Sequence, residues 1–202
     1  MIRTVIFDLG NVIVPFEFTR GYTQMATLCR YPAAEIPTRI RSSDVVTRFE
    51  SGQIDARSFV AELSGILEFN ITYEAFCDMW MSIFLSEPLI PESLLQELGQ
   101  THRLLLLSNT NEIHFPMLRA AYPMLDRFDH HILSYEVGAL KPSPKIYREA
   151  LARAQCRPEE CFFTDDIAAY VDAARQHGID AVQFQSLAQL ESDLLKRGIL
   201  KR

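Results

Sequence analysis

The stretch that decides the fold is VIFDLGNV, at residues 5–12. Its first three residues are an apolar run typical of a buried strand, and Asp8 follows them directly. The same arrangement recurs twice, because other apolar runs end at Ser108 and at the pair Asp165-Asp166. Ligands of open α/β sheets bind beyond the carboxyl ends of the strands. We therefore expect these side chains to converge at one edge of a sheet.

Strands and helices alternate strictly after Pro91. The predicted helices are residues 92–99, 114–121, 144–154, 167–177 and 187–197, and the predicted strands are residues 103–107, 131–133, 161–164 and 181–184. This alternation is typical of a parallel sheet with right-handed crossovers and helices on both faces. The sequence therefore predicts an α/β fold.

The segment between the first two strands has a different pattern. Its apolar side chains recur at spacings of three and four residues, which predicts helices. We predict an α/β core domain of residues 1–15 and 89–202 and an inserted all-helical cap domain of residues 16–88. An insert placed directly after a strand that carries a reactive residue can form a lid. The alternative is that these helices extend the main core.

Composition and charge exclude several classes of protein. The formal net charge is −6 with no basic run, which argues against a nucleic-acid partner. The apolar stretch 5–14 is interrupted by Asp8 and Asn11 and lacks a small-residue cleavage site, so we expect neither a signal peptide nor a membrane span. The four cysteines form no CxxC pair and are expected to be reduced. We predict a cytoplasmic monomer or homodimer that binds a small molecule and no membrane.

Asp8 and the acidic pair have both structural and catalytic interpretations. Asp8 can end a strand by accepting hydrogen bonds from the backbone N–H groups of a turn, and Asp165-Asp166 can be the first residues of a helix. However, Gly10 allows a sharp turn that presents N–H groups to an anion, beside which a carboxylate can attack phosphorus. Adjacent carboxylates repel unless a cation relieves them, and Mg²⁺ prefers carboxylates, water and phosphate oxygens. We favour a nucleophile and a magnesium site.

Lys141 and Ser108 supply the remaining polar groups. Ser143 and Pro144 are typical of the N-cap and first residue of a helix, near which a cation is disfavoured. A nearby anion would remove this conflict for Lys141. Ser108 either caps the next helix or binds a phosphate oxygen.

Four motifs together resemble those of the haloacid dehalogenase superfamily of aspartate-nucleophile phosphatases. They are residues 7–12, 107–111, 141–142 and 163–166. The stretch FESGQI at residues 49–54 is similar to the helical cap of a subgroup that includes bacterial sugar-phosphate phosphatases acting on glucose 1-phosphate. The resemblance covers essentially the whole chain. It implies a Rossmann-like core, Mg²⁺ as cofactor, a small phosphorylated metabolite as substrate and an aspartyl-phosphate intermediate.

The resemblance also assigns roles to individual residues. It implies that Asp8 and Lys141 are catalytic. The implied metal ligands are Asp8, the carbonyl of Gly10, Asp165 and Asp166. The implied phosphate-binding groups are Leu9, Gly10, Ser108, Asn109 and Lys141.

Gly10 is also the main departure from the superfamily. Most of its phosphatases carry a second Asp there, which protonates the leaving oxygen and later activates water. Glu17 and His114 are the nearby candidates to replace it. If nothing does, anomeric, acyl and aryl phosphates should be favoured, because their leaving oxygens are less basic. Tyr170 is a second departure, since relatives often carry a polar residue there.

Three alternative functions fit part of this inventory. A metal-independent haloacid dehalogenase would also use Asp8 but leaves Asp165-Asp166 unexplained. A non-catalytic phosphate-binding protein is compatible with Gly10. A phosphorylation switch would not need a large cap.

The substrate itself would be selected by cap side chains, for which the candidates are Phe16, Phe18, Arg39, Arg41, Arg48 and Trp80.

Overall fold

The computed structural model describes residues 1–201 and contains one five-stranded sheet. The strands are β1 (Thr4–Phe7), β2 (Arg103–Ser108), β3 (His130–Leu133), β4 (Cys161–Asp165) and β5 (Asp180–Gln183). All neighbours are parallel, in the order β3-β2-β1-β4-β5. Because β1 lies between β2 and β4, the carboxyl ends of these three strands are adjacent, as the sequence predicts.

Five helices follow β1 in the chain and form the insert. They are α1 (Phe18–Ala26), α2 (Ile36–Arg41), α3 (Val45–Glu50), α4 (Ala56–Leu67) and α5 (Tyr73–Met81). They share a hydrophobic cluster in which the rings of Phe49 and Phe59 stack with centroids 4.1 Å apart. The predicted all-helical insert is therefore present, while its boundaries at residues 16 and 88 stay a prediction. The apolar spacing does not reveal α2, because this six-residue helix buries only Ile36 and Ile40.

The remaining helices cover both faces of the sheet. They are α6 (Glu92–Gly99), α7 (His114–Ala121), α8 (Ser134–Val137), α9 (Pro144–Ala154), α10 (Ala168–Gln176) and α11 (Leu187–Lys196). Side chains of β1 alternate between two clusters, with Val5 and Phe7 packed against α6 and Ile6 packed against α9. The α/β class is confirmed, and each predicted core strand and helix is present to within one residue at each end; the short helix α8 was not predicted. No helix within residues 1–201 is long and apolar enough to cross a membrane.

The insert meets the core where α3 ends. Gly52 follows α3 with φ +68°, and a Cβ at this position would overlap the backbone carbonyl of Tyr135 in α8. The Oγ of Ser134 lies 2.6 Å from the carbonyl oxygen of Glu50 and 2.9 Å from that of Thr110. One core hydroxyl therefore bridges the insert and the loop after β2.

We predict that Gly52→Ala lowers the free energy of unfolding by at least about 2 kcal/mol, because it combines left-handed strain with the overlap at Tyr135. Gly65→Ala in α4 is the matched control, since nothing lies within 4 Å of the Cβ it would add. It should raise stability by about 0.5–1 kcal/mol. Urea denaturation measures both values. Equal effects would contradict a close contact at Gly52.

Candidate active site

A buried lysine lies at the centre of the site. The Nζ of Lys141 is 2.7 Å from Oδ1 of Asp8 and 2.6 Å from Oδ2 of Asp165. Only 1 % of the Lys141 side chain is exposed. The lysine precedes α9, whose N-cap Ser143 and first residue Pro144 match the expected pattern. The anion expected near Lys141 is therefore present, in the form of two carboxylates.

The acidic residues form a compact cluster. Asp8, Asp165 and Asp166 each offer a carboxylate oxygen, and these atoms all lie within 4.8 Å of one another. Oδ1 of Asp165 also accepts from the N–H of Ile167 at 2.9 Å, which fixes that carboxylate. Mg²⁺ prefers carboxylate oxygens together with water, and it usually keeps some of its own waters. The cluster fits this preference, because Asp8 and Asp165 are buried while Asp166 is only half-buried.

The electrostatics of this cluster favour a bound cation. Burial raises the pKa of Asp8 to about 7; the Lys141 ammonium opposes this shift, and Asp165 adds to it. Burial, and then the charge of Asp165, also raise the pKa of Asp166. An added positive charge favours the ionised forms of such carboxyls.

The side chain of Asn109 fixes the backbone of Lys141. Its Oδ1 accepts from the Lys141 N–H at 2.7 Å, and its Nδ2 donates to the Lys141 carbonyl at 3.1 Å. The same Nδ2 lies 3.3 Å from the hydroxyl of Tyr170, whose ring centroid is 5.1 Å from the Lys141 Nζ. Tyr170 therefore supports the lysine, a role that the sequence does not reveal.

The chain turns directly after β1, in the segment that contains Gly10. The N–H groups of Ile13 and Val14 both donate to the carbonyl of Leu9, so the backbone turns as predicted, with its positive φ at Asn11 (φ 52°) and not at Gly10. A Cβ at Gly10 would lie 2.7 Å from Cε1 of Phe16. The aromatic ring thus occupies the space in which a side chain at position 10 would begin.

One cavity adjoins the strand ends, and a second cavity shares part of its lining. The inner one, of about 70 Å³, is lined by the predicted phosphate-binding residues Leu9, Gly10, Ser108 and Asn109, together with side chains of the insert. The outer one, of about 430 Å³, lies among the helices of the insert. Both are lined by Phe18, Glu50, Ile83 and His114.

Four of the six cap candidates for substrate selection line these cavities. Phe16 lines the inner cavity, Phe18 lines both, and Arg41 and Trp80 line the outer one. The other two lie elsewhere: the Arg39 guanidinium stacks over Tyr31 at 3.4 Å, and Arg48 pairs with Asp44 and Glu62.

Neither residue suggested from sequence as a replacement acid is placed to act as one. His114 Nε2 is 3.1 Å from the Trp80 carbonyl and its Nδ1 is 3.2 Å from Nδ2 of Asn111, so both ring nitrogens are engaged. Burial lowers the pKa of His114 to about 4. Glu17 is exposed and lines neither cavity. Glu50, which sequence reasoning missed as a site residue, lines both cavities; its sequence signal is its place in the FESGQI stretch at residues 49–54.

The chain is similar to known proteins in both sequence and structure. The chain is similar to D-ribitol-5-phosphate phosphatase of Bacteroides thetaiotaomicron, at 25% identity over 96% of this chain and 97% of the relative. It resembles a crystal structure of a haloacid dehalogenase family enzyme from the same organism, solved with magnesium and inorganic phosphate, with a TM-score of 0.84, 24% identity and coverage of 93% and 96%. A predicted hydrolase of the same kind from Porphyromonas gingivalis has a TM-score of 0.81, with 25% identity over 100% of both chains.

The match to a family model is the most direct finding. The model for haloacid dehalogenase-like hydrolases matches residues 2–178, which include the nucleophile candidate and the acidic pair. The chain belongs to the haloacid dehalogenase-like hydrolases.

Proposed function

We propose that this protein is a Mg²⁺-dependent phosphatase that hydrolyses a small sugar phosphate or polyol phosphate through an aspartyl phosphate on Asp8. The observation that carries the proposal is the contact of Lys141 with Asp8 and Asp165, in an acidic cluster beside a small cavity. Relatives named as phosphatases support the reaction type, and the similar structure with magnesium and phosphate supports the cofactor.

In the proposed reaction, a carboxylate oxygen of Asp8 attacks phosphorus and the ester oxygen leaves. The Lys141 ammonium neutralises charge on Asp8 and on the phosphoryl oxygens. The hydroxyl of Ser108 and the amides near Leu9 and Asn109 bind the phosphoryl group. Mg²⁺, held by Asp8, Asp165, Asp166 and the Gly10 carbonyl, would supply Lewis-acid charge neutralisation.

The two cavities suit a substrate with one phosphate and a polar organic part. The inner cavity is lined by phosphate-binding candidates, and the outer one offers the Arg41 guanidinium and the Tyr22 hydroxyl to a polyol. The relative named for D-ribitol 5-phosphate supports this class of substrate. A cytoplasmic location is part of the proposal, and the four free thiols within residues 1–201 suit a reducing compartment.

The acidic cluster favours this function over a dehalogenase. Dehalogenation needs no metal and therefore does not explain why the half-buried carboxylate of Asp166 lies in the cluster. A phosphatase uses Asp166 beside Asp8 and Asp165, whose oxygens all lie within 4.8 Å.

We predict that a chelator abolishes phosphate release and that Mg²⁺ restores it, because the unrelieved carboxylates would repel an anionic substrate. Phosphate release is measured over a panel of phosphorylated metabolites, and halide release from 2-haloacids is the parallel control. Full turnover in chelator, or halide release without metal, would contradict the magnesium phosphatase.

We predict that Asp8→Asn lowers kcat by roughly 10³-fold or more while the protein stays folded, because an amide is a poor nucleophile and Lys141 keeps Asp165 as partner. Asp172→Asn is the matched control; this exposed aspartate pairs only with Arg175 on α10 and should leave kcat unchanged. Near-normal turnover by a folded Asp8→Asn protein would show that Asp8 is not the nucleophile.

A further inference from the structure

Glu50 is held at the boundary between the insert and the core. It is the last residue of α3, and its carbonyl accepts from Ser134 Oγ at 2.6 Å. The same Oγ accepts from the N–H of Thr110 at 2.9 Å, directly after Asn109. On the other side, the neighbouring Phe49 stacks on Phe59 within the insert. The backbone of Glu50 is therefore fixed relative to the strand ends.

The carboxyl of Glu50 has no partner among residues 1–201. The other acids near α3 are paired, since Asp44 and Glu62 both bind Arg48. Glu50 makes no such ion pair and its carboxyl accepts no hydrogen bond from the described residues, although it lies against both cavities. A partly buried acid without a partner is unfavourable for stability, which points to a role with a ligand.

Glu50 lies where the inner and outer cavities meet. A substrate with its phosphate in the inner cavity and its organic part in the outer one has its ester oxygen at their junction. Four residues line both cavities, and Glu50 alone among them carries a carboxyl. His114 is the other titratable member, but both of its ring nitrogens are engaged.

The geometry points to Glu50 as the general acid and base of the reaction, in place of the side chain that Gly10 lacks. This inference rests on the proposed phosphatase function. It also accounts for Phe16, whose ring closes the space at Gly10 from which an acid would otherwise act.

The two chemical steps then balance. In the first, Asp8 forms a bond to phosphorus, the bond from phosphorus to the ester oxygen breaks, and Glu50 gives that oxygen its proton, releasing an alcohol. In the second, the Glu50 carboxylate takes a proton from water as the water oxygen bonds to phosphorus. The bond from phosphorus to Asp8 breaks, phosphate leaves, and Glu50 is again protonated.

The surroundings of Glu50 suit proton exchange near neutral pH. Burial raises the pKa of its carboxyl to about 7. The other titratable or charged groups that line the two cavities are His114 of α7, Tyr22 of α1 and Arg41 of α2. Because a general acid acts in its protonated form, kcat/KM for poor leaving groups should fall as pH rises through about 7.

The test compares Glu50→Gln with the wild type on two aryl esters of similar size, phenyl phosphate and p-nitrophenyl phosphate, in the presence of Mg²⁺. We expect the substitution to lower kcat/KM for phenyl phosphate by about 10²–10⁴-fold and that for p-nitrophenyl phosphate by less than about tenfold, since nitrophenolate leaves without a proton. The alkaline fall in kcat/KM should also disappear. Glu17→Gln, which removes an exposed carboxylate near the insert, is the matched control and should change neither value.

A second measurement separates the two steps. Without a base for water, Glu50→Gln should release a burst of about one nitrophenol per Asp8 and then turn over slowly. An equal loss of kcat/KM on both esters, or no loss on either, would overturn the role of Glu50 while Asp8-dependent hydrolysis by the wild type upheld the phosphatase. If the wild type with Mg²⁺ releases no phosphate from either ester or from any member of the metabolite panel, the proposed function and the role of Glu50 both fail.

Discussion

The structure depends on one interaction, the contact of the buried Lys141 ammonium with Asp8 and Asp165. A buried cation is strongly destabilising unless carboxylates lie against it in good geometry. That geometry requires β1 and β4 to be neighbours, so that their two aspartates lie side by side at the carboxyl ends. It also requires the loop before α9 to carry Lys141 to them, and the two hydrogen bonds from Asn109 hold that loop in place.

The same interaction explains why the site should bind a cation and an anion together. With Asp8, Asp165 and Asp166 ionised, Lys141 neutralises one of three negative charges. The remaining charge repels a phosphate ester, and a divalent cation removes that repulsion. The burial that raises the pKa of Asp8 also excludes water, which strengthens every electrostatic contact to the phosphoryl group.

Local patterns predict the strands and helices of the core, because apolar runs and helical spacing reflect short-range rules. The convergence of Asp8, Ser108 and Asp165 was also predictable, since it follows from the geometry of parallel sheets. The position of Glu50 was not, because it depends on packing against Ser134, which is 84 residues away. The close packing at Gly10 was not predictable for a related reason, because it depends on the position of the Phe16 ring against the space that a Cβ would occupy.

The central claim is that the phosphoryl group passes through Asp8. The most direct test is acid quenching of the Mg²⁺ enzyme during turnover of p-nitrophenyl phosphate, followed by peptide mass spectrometry after borohydride reduction of the acyl phosphate. We expect one modified residue, Asp8, and a higher modified fraction in Glu50→Gln, in which hydrolysis of the intermediate is slowed. Turnover without modification of Asp8, or modification at another residue, would contradict it.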